Sequence, residues 1–480
     1  MKHLIVLLFT LITLISSSLT QGSPPVNPKA AVNKPNIVLF LVDDMAAADL
    51  NQMAYLNQIA SAGVKFTRFV TPTPWCAPSR ASILRGQNSY NTLQLSSWGF
   101  DNFYRMDFEK ETVAVWLQRA GYKTGLFGKY LNGYMNSGFV PNTYVPPGWN
   151  EWYAGIGLGY NYTLNENGVV VKYQEPVSPH MNDELARLAV GFIDRHHNEP
   201  MFLYLASTSP HSPPIPAHRQ EGWFKYQQLT QGPAFNEDDV SDKPAWVRKK
   251  AKIPANEPVR LELFRNRLRT LSSIGDLINR VTAAFVKYGV KDNTYFVFMS
   301  DNGWEYGAHR ITDQKSTPYE GSNIVPALIW GPGIPAGVTR NHLVANFDLA
   351  QTFAEWAGAT IPTWVEGRSL VPLLKQNPTP ITQWRQAIAL SYQTPMFQTW
   401  ANPSPPSYFG LLTNTEKYVH YVTLEQEYYL DNSDPFEMKS QHANPLNWSR
   451  MNKLKRWAAA LGACWGQTCR QLEMAPPPVN

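Results

Sequence analysis

Asp43-Asp44, Gly128-Lys129, Ser209-Pro210-His211 and Asp301-Asn302 each stand just past a short apolar run, and together they could do one kind of chemistry. Asp43, Asp44, Asp301 and Asn302 offer only oxygen donors. Such a set suits a hard cation, Ca²⁺ or Mg²⁺, whereas zinc selects histidine or thiolate. Lys129, His211 and Lys315 would then surround an anion held by the metal. A cation with ammonium groups is the arrangement that stabilises charge on a transferring sulfuryl or phosphoryl group. Taken singly, each position has a plainer explanation: an Asp pair caps a helix, a lysine faces solvent, a histidine between prolines sits in a loop. Independent caps have no reason to gather carboxylates, an amide, a lysine and a histidine at corresponding positions.

Cys76 adds a nucleophile. It stands in CAPSRASILRG, where Pro78 suits a first helical turn and Ala81 to Leu84 continue it, so Cys76 is expected at a helix N-terminus, a natural anion site. The spacing Cys-x-Pro-x-Arg is informative. With 3 cysteines and 38 prolines in 480 residues, a chance match including Arg80 is below about 0.02.

These residues need a scaffold that brings them together. The apolar runs Asn36 to Val42, Tyr122 to Phe127, Met201 to Ala206, Tyr295 to Met299 and Pro326 to Trp330 read as buried parallel strands. Helical patterns alternate with them: Leu185, Leu188, Ala189, Phe192 and Ile193 share a face of a helix beginning near Asp183, and Leu261, Phe264, Leu268 and Leu271 start a long helix ending near Gly289. The fold class expected is α/β, a large mainly parallel mixed sheet sandwiched by helices over residues 36–370. Open parallel sheets place ligands at the carboxyl ends of their strands, where the loaded residues stand. Past Leu370, Pro-rich spacers precede Tyr408 to Thr413, a turn at Asn414-Thr415-Glu416, and Tyr418 to Val422. Residues 371–480 therefore read as a smaller subdomain with an antiparallel sheet.

Composition excludes several classes. At 16% charged and 44% hydrophobic residues the chain cannot be disordered. Its net charge of +5 is small and dispersed, and RKKAK at 248–252 reads as a solvated loop, so no nucleic-acid partner is expected. Met1-Lys2-His3, the apolar Leu4 to Ile15 and SSSLTQG read as a signal peptide over 1–22, followed by a linker over 23–35. No run reaches the roughly 18 residues of a membrane span. The expected protein is exported, to the extracellular space, a lysosome or a periplasm. Oxidising conditions make Cys464 and Cys469, in LGACWGQTCRQ, a local disulfide and leave Cys76 unpaired. Asn161-Tyr-Thr and Asn447-Trp-Ser are glycosylation sequons for a eukaryotic secretory pathway.

Cys76-Ala-Pro-Ser-Arg80 with the following ASILRG resembles the signature of the type I sulfatases, formylglycine-dependent enzymes of the alkaline-phosphatase-like superfamily. The resemblance runs through PNIVLFLVDDM, GKYLNGY, SPHSPP, DNGWEYGAHR, DQKSTPYEGSNIVPALIWGPG and YYLDNSDPFE, nearly the whole chain past the signal peptide. It implies that Asp43, Asp44, Asp301 and Asn302 hold Ca²⁺, and that Cys76, converted to formylglycine (3-oxoalanine) by a maturation enzyme, is nucleophile and fifth ligand. It further implies that Arg80 steadies the nucleophile, Lys129 and Lys315 grip the sulfate, and His211 faces the leaving group. A hydrated aldehyde has two hydroxyls, one to attack sulfur and one to drive expulsion of the sulfate. His211 with Lys315 would protonate the departing oxygen.

One position departs from the family pattern. Where many sulfatases carry histidine two residues after the Gly-Lys lysine, this chain has Leu131. GKYLN resembles the N-acetylglucosamine-6-sulfatase branch, with Asn132 as a substitute contributor, and His309 of GAHR either points into the cleft or holds its loop. The implied substrate is a sulfated carbohydrate such as N-acetylglucosamine 6-sulfate, or an aryl sulfate. The competing readings are a phosphate-ester or phosphonate hydrolase on the same scaffold and a non-catalytic glycan-binding relative. Two-zinc phosphatase sites need more histidines than His211 and His309, and a dead scaffold would have lost site residues.

Overall fold

Asn36–Val42 lies near the middle of a ten-stranded sheet. The computed structural model describes residues 34–95, 99–254, 257–394 and 404–477, so the signal peptide and the linker up to residue 33 lie outside the described residues. Across the sheet the order is Val338–Arg340, Val64–Phe66, Ala327–Trp330, Thr294–Ser300, Asn36–Val42, Met201–Ala206, Lys123–Gly128, Glu151–Leu158, Asn161–Glu166 and Val169–Tyr173. From Thr294–Ser300 to Glu151–Leu158 every pairing is parallel.

The Pro326 to Trp330 run, expected as a parallel strand, is instead Ala327–Trp330 and antiparallel to both neighbours. Thr294–Ser300 ends at the carboxyl edge, and the chain forms loops and short elements before it re-enters the sheet without a crossover. The next strand must then run back. An unbroken apolar run reports burial on both faces and says nothing about direction.

Alternation along Asn36–Val42 feeds two cores. Ile37, Leu39 and Leu41 meet helices Cys76–Arg85, Val113–Arg119 and Asp348–Ala357 on one face. Val38, Phe40 and Val42 meet helices Met181–His196 and Pro258–Lys287 on the other. Each such side chain contributes roughly 1.5–3 kcal/mol on burial, and covering both faces is what lets a parallel sheet exist.

A second sheet of four antiparallel strands, Ala387–Tyr392, Tyr408–Thr413, Glu416–Tyr421 and Gln426–Leu430, follows in chain order. Its hairpin turns at Asn414-Thr415, and Glu416 already belongs to the second strand. One face packs Leu411 and Tyr418 against Leu454 and Trp457 of helix Trp448–Gly462. The other packs Leu390, Leu412 and Tyr421 in one cluster with Trp75, Cys76 and Tyr319. The small sheet therefore backs the segment that carries Cys76. Both sheets lie in one compact unit that starts at Lys34. Cys464 and Cys469 form a disulfide. Among the described residues no helix is long and apolar enough to cross a membrane.

Candidate active site

Four adjacent parallel strands end level at one edge: Val42 pairs with Ser300, Leu41 with Ala206, and Gly128 with Ala206. Backbone hydrogen bonds carry the alignment into the loops, with Asp301 N donating to Val42 O (3.0 Å), Ser207 N to Leu41 O (2.9 Å) and Lys129 N to Ala206 O (2.7 Å). Gly128 is required where it stands. Its φ is +106° and a Cβ there would lie 2.1 Å from Ala206 O, so only glycine lets the chain deliver Lys129. Asp44 has φ +71°, an uncommon conformation for a side-chain-bearing residue, and Met45 N donates to Ser300 Oγ (2.9 Å) just beyond it.

Helix Cys76–Arg85 begins at Cys76, so the first-turn N–H groups lie beside the cluster. Cys76 Sγ donates to Asp43 Oδ1 (3.3 Å) and accepts from Lys315 Nζ (2.9 Å). Lys315 also bonds Asp44 Oδ1, and Lys129 Nζ bonds Asp43 Oδ2 (2.5 Å). Arg80 is buried and spans the edge, with Nε on Asp301 Oδ2 (2.7 Å), Nη1 on Lys129 O (2.7 Å) and Nη2 3.6 Å from Asp43 Oδ2. Asn302 Nδ2 donates to Asp44 Oδ1 (2.6 Å). His211 Nε2 lies 3.8 Å from Asp44 Oδ2, while its Nδ1 meets Ser212 O at 2.7 Å.

Asp43, Asp44 and Asp301 are fully buried, and entry is from the side of Lys129, Lys315 and His211, whose side chains are 13%, 14% and 35% exposed. Burial opposes the charge on Asp43, but Lys129 foremost, then His211, Arg80 and Lys315, hold its carboxyl well below the usual range. Asp301 is raised by burial and by the neighbouring Asp43 charge. Burial pushes the Cys76 thiol up to about 12, with Asp43 adding to the rise. An unmodified Cys76 is therefore a neutral thiol and a poor nucleophile at neutral pH.

The donor set fits a hard cation. One ligand atom each from Asp43, Asp44, Cys76 and Asp301 lie within 4.8 Å of one another. Asp44 Oδ2 and Asn302 Oδ1 are buried with no hydrogen-bond partner, an expensive condition that a cation would relieve.

Two cavities flank His211. One of about 440 Å³ is lined by Lys129, Leu131 and Asn132, and Asn132 Oδ1 is buried without a partner. The other, of about 380 Å³, is lined by Lys315 and by Trp75, Trp304 and Tyr392. A larger cavity of about 1360 Å³ lies around residues 228–242 and the start of helix Pro258–Lys287, and contains none of the predicted site residues. Its size says nothing about the chemistry. Leu131, at the position of the family histidine, is packed into the core.

His309 does not join the cluster, and of the two roles expected for it the contacts are those of a residue that holds its loop. It is 1% exposed, its Nδ1 meets Glu237 Oε2 at 2.6 Å, and its ring packs on Tyr319 at 4.4 Å. Sequence reading also passed over Arg267, whose guanidinium touches three of the edge loops. A signal was present. Arg267 falls between Phe264, Leu268 and Leu271 on the apolar face of its helix, where a cation needs a reason to be.

The sulfatase family profile matches residues 35–359, and a profile described as N-sulphoglucosamine sulphohydrolase, C-terminal, matches residues 307–461. The chain is 33% identical over 381 residues to the N-acetylglucosamine-6-sulfatase of Homo sapiens, covering 76% of this chain and 68% of that one. It is 33% identical over 362 residues to an extracellular sulfatase homologue of Drosophila melanogaster, covering 72% of this chain but 32% of that protein. With a Caenorhabditis elegans homologue the share is 52%, so the chain spans about a third to a half of these two relatives. Among solved structures, a protein in complex with its substrate D-glucosamine-2-N,6-O-disulfate superposes with a TM-score of 0.77 at 21% identity, over 92% of this chain and 98% of that one. A phosphonate monoester hydrolase from Silicibacter pomeroyi gives 0.70 at 20%, over 88% and 94%. With the profile spanning most of the chain and a relative above 30% identity matched over two thirds of its length, the chain belongs to the sulfatase family.

Proposed function

We propose that this protein hydrolyses sulfate esters of a sulfated amino sugar such as N-acetylglucosamine 6-sulfate, after conversion of Cys76 to formylglycine and with Ca²⁺ held by Asp43, Asp44, Asp301 and Asn302. The observation that carries the reading is the one buried cluster in which Cys76 touches both Asp43 and Lys315 while Asp44 Oδ2 and Asn302 Oδ1 remain unpartnered. When present, the cation would supply Lewis-acid neutralisation of sulfate and the formylglycine an oxygen nucleophile that the protonated thiol is not. The remaining work belongs to the chain. Lys129 and Lys315 bring two ammonium groups to sulfate oxygens from the accessible side. Arg80 fixes Asp301 and the Lys129 carbonyl together, so nucleophile and sulfate grip share one frame. Ser212 O can only accept, so His211 Nδ1 keeps its proton and Nε2 is the nitrogen that exchanges one with the leaving oxygen. Asn132, with its free Oδ1 beside Lys129, would receive a sugar hydroxyl one residue past Leu131, the position where other sulfatases carry histidine.

Export through the secretory pathway with action on extracellular or lysosomal glycan agrees with the disulfide Cys464–Cys469. Asn161 is exposed and suits a glycan, whereas the Asn447 amide nitrogen is engaged by Gln441 O (3.2 Å). Mass spectrometry of the Cys76 peptide from the native source tests the modification, and an intact thiol in active enzyme defeats the mechanism. Matched chromogenic sulfate and phosphate or phosphonate esters test the reaction. Faster turnover of the phosphorus esters would move the protein to the activity named for its Silicibacter pomeroyi neighbour. Absence of turnover of any of them by aldehyde-bearing protein would favour a glycan-binding role.

A further inference from the structure

Resting on the proposed metal site, the geometry points to Arg267 as a positioning residue that fixes the Asp44 metal-ligand turn and the His211 loop in one register. Arg267 is fully buried in helix Pro258–Lys287 and uses all three guanidinium nitrogens. Nη2 donates to Asp44 O, Nη1 to Pro210 O (3.0 Å) and Nε to the Tyr306 hydroxyl (2.9 Å). The guanidinium carbon lies 4.4 Å from the centre of the Trp304 ring. Asp44 follows Asn36–Val42, Pro210 follows Met201–Ala206, and Trp304 and Tyr306 follow Thr294–Ser300. One planar cation thus ties together the loops beyond three adjacent strands.

The contact at Asp44 bears directly on the ligand set. Asp44 sits at φ +71°, a conformation its Cβ disfavours, and the Arg267 bond to its carbonyl favours that orientation of the peptide. If the peptide relaxes, the carboxylate that meets Lys315 and Asn302 swings with it. The same guanidinium holds the carbonyl of Pro210, the residue before His211. Tyr306 closes the arrangement by donating to Asp49 Oδ2 (3.0 Å), which also accepts from Ala46 N (3.2 Å), two residues past Asp44. Lysine cannot replace this: it lacks the fork that reaches three acceptors and the flat face that stacks on Trp304.

The test compares full-length wild type, Arg267→Lys and Arg267→Ala, each matured with a formylglycine-generating enzyme. Ca²⁺ affinity is read by titration calorimetry, melting is followed without Ca²⁺, and kcat and KM are measured on a chromogenic sulfate ester. Both variants are expected to bind Ca²⁺ about 10–100-fold more weakly, with kcat falling more than KM changes and lysine giving no rescue. A folded Arg267→Lys with wild-type Ca²⁺ affinity and kcat overturns the proposal, even if it melts lower, because that is the mark of a merely structural cation. Should the Arg267 variants not fold, Tyr306→Phe decides. A loss of Ca²⁺ affinity of about threefold or more supports the proposal, and wild-type affinity overturns it. A wild type that binds no Ca²⁺ defeats the metal reading and this inference together, whereas normal Ca²⁺ binding by the variants defeats only the inference.

Discussion

Two buried acidic clusters differ first in how far the protein satisfies them. At the sheet edge Asp44 and Asn302 each keep an oxygen that nothing in the protein satisfies. Beneath the small sheet Glu427 is closed: the hydroxyls of Tyr319 (2.6 Å) and Tyr429 (2.6 Å) donate to Oε1 and that of Tyr421 (2.5 Å) to Oε2. Lys417 meets Glu437 and Pro318 O (3.1 Å) nearby. Equal burial carries opposite meanings here. A satisfied polar network specifies packing, while a network with spare acceptors in a dry site is arranged for something that arrives. The two are joined, since Tyr319 anchors the segment that presents Lys315 four residues earlier.

Protonation separates them as well. Lys129 above all keeps Asp43 ionised against its burial, whereas burial raises Glu427 despite its three phenols, and raises Glu109 to about 7 despite Tyr144 and Tyr130. In the open cluster Asp43 is held ionised while Asp301 beside it is raised, and in the closed networks both carboxyls are raised.

The contrast can be broken most sharply at Cys76. Cys76→Ala is expected to lower turnover by about 10⁴-fold or more while its melting temperature stays within about 4 °C of wild type, as read by the sulfate-ester assay and thermal melting. Asp301→Ala removes a proposed metal ligand and the carboxylate that accepts from buried Arg80 Nε. Calorimetric titration is expected to show Ca²⁺ affinity down about 100-fold or more, and denaturant unfolding a loss of about 3–5 kcal/mol. Glu427→Ala should lose stability alone. Three buried hydroxyls lose their acceptor, costing about 3–6 kcal/mol in the same unfolding measurement, yet Ca²⁺ affinity of the folded variant should stay within about a factor of two. A large fall in Ca²⁺ affinity there would mean that the closed network is part of the site.

The smallest effect is a pH slope. The Glu109 carboxyl titrates near 7 in the folded protein, above its ordinary value of 4.5, so between these values the native state holds a proton that the unfolded chain has lost. Stability through this group is greatest below pH 4.5, falls as pH rises through the window by about 3 kcal/mol, and is level above about 7. Glu109→Gln should flatten that slope relative to wild type in unfolding series from pH 4.5 to 8.

Much of the site could be read because strand ends announce themselves. Ile37 to Val42 is uniformly apolar and then stops at Asp43, and the same abrupt change marks Lys129 and Asp301. Cys-x-Pro-x-Arg was readable for a different reason, the rarity of its residues. Three things were not readable. The direction of Ala327–Trp330 depends on where the chain re-enters the sheet. The fate of His309 depends on Glu237, 72 residues away, which takes its ring nitrogen. The place of Arg267 on an apolar helix face is readable, but its three acceptors come together from three separate segments only in the fold.

The amino-acid sequence by itself determined which side chains this protein can bring to an anion, through local rules of apolar period, helix start and rare spacing. Only the tertiary structure decided which of them meet, which oxygens stay unpaired and which cation holds the loops, because desolvation and hydrogen bonding between distant segments exist only once the sheet has set their ends level.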